Sequence, residues 1–192
     1  MLTIYWMHDT SQHWDIKIRS KRGGNKILSY FFTPNEMDVV LVSTTGLELY
    51  SFMESKRQWK RTMNHKKNVG CCWSLPSERL VVVSNTLPPI HAGLPVECTA
   101  LQLQPKSIGS KSTSTFSSSS ASDSLTSYTM IKHPKFSLDS GVLNDGKSVH
   151  VVRLYNRVYC VAIDHTNMTL NVVDVAGHGG GDNIANSSSS SP

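Results

Sequence analysis

The sequence predicts an all-β fold made of short antiparallel strands in successive meanders, and three observations predict it. Apolar residues fall in runs of about five or six, too short for buried helices, and the runs are β-branched and aromatic rather than rich in Ala, Glu or Lys. Turn chemistry separates the runs at short intervals, as at Thr33-Pro34-Asn35 and Ser43-Thr44-Thr45-Gly46. The order of strand and turn then recurs along the chain, so the stretch Ile27 to Phe52 serves as the template for the rest.

Ile27 to Phe32 is the first strand of that template, and proline and asparagine end it, one lacking a ladder donor and the other tolerating a turn. A second strand starts at Asp38, and its continuous run Val39 to Val42 is that of a strand buried on both faces. Gly46 supplies positive φ in the following turn, and Leu47 to Phe52 is the third strand. After Met53-Glu54-Ser55, the mixed segment Arg57 to Met63 fits an outer, solvent-washed strand. Upstream, residues 1–13 lack a clear period and are left unassigned, whereas Trp14 to Arg19 alternates as a strand and leads into a basic turn at Ser20 to Asn25.

The second cycle comprises Val69 to Trp73, Arg79 to Asn85, Val96 to Leu103 and Ser127 to Leu138, punctuated by Leu75-Pro76-Ser77 and Leu87-Pro88-Pro89. Within it, residues 105–125 form a Ser and Thr tract with almost nothing apolar, expected to be a disordered insertion because it cannot bury enough surface to offset chain entropy. The third cycle comprises Ser148 to Leu154, a tight turn at Tyr155-Asn156, Arg157 to Ile163 and Met168 to Val175. Residues 176–192 are Gly- and Ser-rich and are expected to be a disordered tail. The first cycle packs four strands into about 37 residues, close to the roughly 40–45 of a propeller blade. The expected architecture is therefore a partial β-propeller of two to three WD40-like blades over residues 14–175, with a Greek-key sandwich as the alternative; no WD dipeptide marks the blades.

A length of 192 residues suits one domain once the Ser-rich tracts are subtracted. The N-terminal MLTIYWMHDTSQHW lacks a basic n-region, and no stretch approaches the ~20 apolar residues of a membrane span, so a cytoplasmic chain is expected. The sequons at Asn167 and Asn186 then carry no sugar. Four cysteines, Cys71, Cys72, Cys98 and Cys160, lie in apolar patterns and read as reduced core residues; no C-x-x-C pair points to zinc. Net charge is +5 and the pI near 9.1. Many of the cations form two patches, Lys17, Arg19, Lys21, Arg22 and Lys26, then Lys56, Arg57, Lys60, Arg61, Lys66 and Lys67. Such patches suit phosphate, acidic proteins or anionic lipid headgroups, or simply solvated loops and hairpin ends, and Trp59 among the cations could suit nucleic-acid stacking.

Catalytic signatures are thin. His178-Gly179-Gly180-Gly181 matches the oxyanion loop of lipases, but no G-x-S-x-G elbow follows it. The histidines His65, His91, His133, His150 and His165 show neither helical pairing nor metal-site spacing. Gly23-Gly24 lacks the remainder of a phosphate loop. The residues thus offer no catalytic, cofactor-binding or metal-binding site, and a non-enzymatic protein without a cofactor or small-molecule substrate is expected.

The strand string ILSYFF, VVLVSTTGLELYSF, KKNVGCCWSLPSERLVVVS, HPKFSLD and VHVVRLYNRVYCVAIDH resembles the N-terminal region of the regulator of the Mon-Ccz complex, the Mic-like or Bulli family. The likeness covers about residues 27–175. It runs through Ile27-Leu28, Gly46-Leu47-Glu48-Leu49, Asn68-Val69, Arg79-Leu80-Val81, Pro134-Lys135-Phe136 and Arg157-Val158-Tyr159-Cys160. The chain departs from the family at Cys71-Cys72, where an aromatic pair is usual, and in its Ser-rich insertion. It also lacks the family's earlier blades and helical C-terminal region, so a fragment or a truncated form is expected. The resemblance implies a β-propeller scaffold that supports the Mon and Ccz subunits of a Rab guanine-nucleotide exchange factor. It further implies a role in late endosome and lysosome maturation and autophagy, with peripheral membrane association through the complex. The alternative function is a propeller-like module that binds anionic lipid or nucleic acid through the basic patches.

Overall fold

The computed structural model describes residues 2–6, 9–16, 25–85, 95–106, 126–138 and 147–176. Apart from two short 3-10 turns, the regular elements of these residues are all strands, and every pairing is antiparallel. The all-β expectation therefore holds. Four separate sheets follow one another along the chain.

A hairpin of β1 (Leu2–Trp6) and β2 (Asp9–Ile16) comes first, in a segment whose N-terminal part showed no legible period. Its pairing is nonetheless regular from Leu2↔Ile16 to Tyr5↔His13. The expected strand from Trp14 onward is the end of this longer β2, and 17–19 lie outside the described residues.

The second sheet is an up-and-down meander in chain order, β3 (Ile27–Phe32), β4 (Asp38–Ser43), β5 (Gly46–Met53) and β6 (Gln58–Lys66). Its strands match the template, and the Glu54–Lys56 3-10 turn joins β5 to β6. Gly46 sits at φ 139°, and a Cβ there would meet the His65 carbonyl oxygen at 2.1 Å, so only glycine lets β5 and β6 close at this point.

The third sheet repeats the design with β7 (Cys72–Leu75), β8 (Leu80–Ser84), β9 (Val96–Pro105) and β10 (Tyr128–Leu138), again in chain order. Here the sequence expectation needs correction, because Val69 precedes the strand that was expected to contain it. Its N–H donates to the Thr44 carbonyl (3.1 Å) and that of Gly70 to the Ser84 carbonyl (3.3 Å), so residues 69 and 70 bridge the second and third sheets instead of extending β7. Pro105 ends β9, and the remaining expected insertion, 107–125, lies outside the described residues.

The fourth sheet has three strands, β11 (Lys147–Leu154), β12 (Arg157–Asp164) and β13 (Thr169–Ala176). Asp164 shapes the β12–β13 turn, accepting from the N–H groups of Thr166 and Asn167 at 3.0 Å each and from Asn167 Nδ2 at 2.9 Å. Of the expected tail, Ala176 belongs to β13 and 177–192 lie outside the described residues.

Period-two alternation explains how the sheets stack. In β4, Val40 and Val42 join Leu47 and Leu49 against Val81, Val83, Leu101 and Leu103 of the third sheet. Val39 and Leu41 point the opposite way, towards Ile16, Leu2 and Ile4 of the hairpin. Likewise in β8, Leu80 and Val82 turn to Val151, Val158, Cys160 and Ala162 of the fourth sheet, while Val81 and Val83 face the second. β4 and β8 are thus buried on both faces, which is why Val39–Val42 and Leu80–Val83 read as unbroken apolar runs. The first strands of the three meanders adjoin, with β7 in contact with both β3 and β11.

Candidate interaction surface

The chemistry-bearing residues singled out by sequence disperse over this frame. Cys98 and Cys160 are fully buried in the core between the third and fourth sheets, and burial pushes each thiol up to about 12. Cys72 packs between the second and third sheets, its thiol raised by burial to about 11, and Cys71 is raised by burial as well. All four are free thiols. Among the described residues no group of three or more His, Cys, Asp or Glu converges as a metal site.

The histidines do not meet as a catalytic set. His65 is half-buried, and its pKa is lowered first by that burial and then by Lys67 and Lys132. His133 pairs with Gln102 at 3.1 Å. One grouping escaped sequence reasoning: Ser148 Oγ lies 2.9 Å from His165 Nε2 and 3.1 Å from His150 Nε2. Both imidazoles are exposed, and Asp164, adjacent in sequence to His165, is engaged by its own turn. His91 and His178-Gly179-Gly180-Gly181 lie outside the described residues.

The second basic patch is divided between faces and partly neutralised. Arg61 binds Glu48 at 2.6 Å, and Glu48 also accepts from the Tyr50 hydroxyl at 2.8 Å. Lys56, Arg57, Lys60 and Lys66 are exposed, and Lys67 is half-buried. Trp59 is occupied by packing, its ring 5.3 Å from that of Phe52 and 6.2 Å from that of Phe32, with a buried Nε1 that has no hydrogen-bond partner. From the first patch only Lys26 is described, and it is exposed.

What the tertiary structure builds, and no local signal announced, is an apolar surface on the fourth sheet. Six of the eight large hydrophobic side chains exposed among the described residues are Val152, Leu154, Tyr155, Met168, Leu170 and Val172, all on or beside this sheet. Cross-strand register lines them up, with Val152 opposite Tyr159, Val161 opposite Val172, and Ile163 opposite Leu170. On the reverse face Val151, Val158, Cys160, Ala162 and Val173 meet the third sheet. The second and third sheets each contribute to two apolar clusters, on opposite faces, whereas the fourth contributes to one. Such a surface can hold another polypeptide through desolvation of branched side chains. No family model, curated protein or solved structure matches the chain.

Proposed function

We propose that the chain is the propeller-like part of a non-enzymatic scaffold subunit that supports the Mon-Ccz Rab guanine-nucleotide exchange complex. One observation carries the reading. Apart from Asn68-Val69, which lies between two sheets, and Arg79, which lies in a turn, the segments resembling the Mon-Ccz regulator family fall, in order, on the strands of three antiparallel meanders stacked in chain order. Adjoining first strands and doubly buried central strands support a blade-like arrangement, since propeller blades are meanders packed face to face around an axis.

A docking role draws support from the apolar outer face of the fourth sheet. Exchange chemistry then resides in the Mon and Ccz partners, and the chain reaches late endosomal and lysosomal membranes through them. Binding of anionic lipid or nucleic acid draws less support, because Glu48 engages Arg61 and ring packing occupies Trp59.

The test is affinity purification with mass spectrometry from the native locus, with the transcript ends mapped. Recovery of Mon and Ccz subunits in stoichiometric amounts supports the scaffold. Their absence from a well-expressed bait overturns it.

A further inference from the structure

We infer that the chain forms a two-fold dimer by antiparallel pairing of β13 with β13 of a second copy. Among the described residues three strands stand at the outer end of a meander with no partner on their outer edge, and they differ in how that edge is protected. The edge strand β6 carries Lys60, Arg61 and Lys66 and breaks register between its pairings Leu49↔Met63 and Tyr50↔Arg61. The edge strand β10 carries Lys132, Lys135 and Pro134, with a register break between the two lysines. Charges, prolines and bulges are the devices that keep sheet edges from pairing.

In contrast, β13 reads TLNVVDVA, with no lysine, arginine or proline; its register with β12 is unbroken from Thr169 to Asp174 and shifts only at Val175, beyond the segment that would pair. Among the described residues no strand pairs with its outer edge, whereas the second and third sheets carry a fourth strand at that position.

Charge balance selects a second copy as the occupant. The only ionised side chain of β13 is Asp174, and Arg157 of the same molecule holds it at 3.2 Å. Two β13 edges therefore meet without like-charge repulsion, whereas two β6 or two β10 edges would bring lysines together. An antiparallel self-pairing across a two-fold axis is isologous and closes on itself.

Side-chain parity fixes the register. Leu170 and Val172 point outwards, 63% and 50% exposed, while Asn171 lies on the same side of the strand as Val173. Centring the axis on Asn171 sets Leu170 opposite Val172 of the second copy, and Asn171 opposite Asn171. The two apolar faces then join into one surface, and the two Asp174 carboxylates lie towards opposite ends of the paired segment.

Analytical ultracentrifugation of the full chain across a concentration series tests this proposal. A reversible dimer is expected, with Leu170→Lys and Val172→Lys each raising its dissociation constant roughly tenfold or more. Tyr155→Lys, an exposed site in the β11–β12 turn, should leave it unchanged. Because the replaced side chains are exposed, circular dichroism spectra, and melts at concentrations low enough for both proteins to be monomeric, should match wild type, separating lost pairing from lost folding. Asn171→Cys should cross-link to itself under mild oxidation, and Leu170→Cys only to a Val172→Cys copy. A monomer at every concentration overturns the proposal, as does a dimer that survives Val172→Lys or an Asn171→Cys variant that does not cross-link in the dimer.

Discussion

The phenol of Tyr128 donates a 2.7 Å hydrogen bond to the buried carboxylate of Asp38, tying the first residue of β10 to the first residue of β4 across 90 positions of sequence. Asn35 donates to the same carboxylate oxygen at 2.8 Å, and Asp38 is 1% exposed. Here the second and third sheets are joined by polar chemistry as well as by apolar packing. Tyr128→Phe should lower the unfolding free energy by about 1.5–3 kcal/mol, because it removes a hydrogen bond to a charged group in a dry setting. Urea denaturation monitored by tryptophan fluorescence measures this, and a loss below ~0.5 kcal/mol would show that the bond is dispensable.

Gly46→Ala should destabilise by about 1–3 kcal/mol or more, since it adds a Cβ against the His65 carbonyl and a side chain at φ 139°. The same denaturation experiment reads it. Lys56→Ala, exposed in the 3-10 turn at the far end of β5, is the control expected to stay within ~0.5 kcal/mol.

The buried thiols make stability fall at alkaline pH. Unfolded cysteine ionises near ~8.5. Cys98 and Cys160 hold their protons to about 12 in the folded chain, so above pH ~8.5 the folded state binds more protons than the unfolded one and stability declines as pH rises towards 12. Tyr50, raised to about 12 chiefly by burial and then by its bond to Glu48, adds to the decline above pH ~10. Thermal melts at stepwise pH should show a falling midpoint across this window. In native protein at pH 8, maleimide should leave Cys98 and Cys160 unlabelled until urea is added.

His65 should titrate below the ordinary imidazole range, because burial and then the cations Lys67 and Lys132 disfavour its charged form. The folded state then binds fewer protons than the unfolded chain below pH ~6.5, and stability decreases as pH falls through that region. Lys132→Gln should move the His65 titration upward in proton NMR; an unmoved titration would leave the effect to burial and Lys67.

Local chemistry sufficed for much of the strand order. Turns such as Pro34-Asn35 and Gly46 act within a few residues, and the runs at Val39–Val42 and Leu80–Val83 announced two-sided burial because both alternating faces had to be apolar. The β1–β2 hairpin was illegible because six of the eight residues of β2 are polar or charged and its strand character comes from cross-strand pairing with β1. Val69 misled because its apolar side chain fits a strand pattern, while its N–H is spent on Thr44 in the preceding sheet. Nothing in the apolar residues of β11 and β13 distinguished those that face the third sheet from those that face solvent. Sequence by itself determined that this chain makes short antiparallel strands, since propensity and turn geometry are properties of neighbouring residues. Only the tertiary structure decided which strand faces are covered and, among the described residues, which edge has no partner strand, because burial and pairing depend on residues far away along the chain.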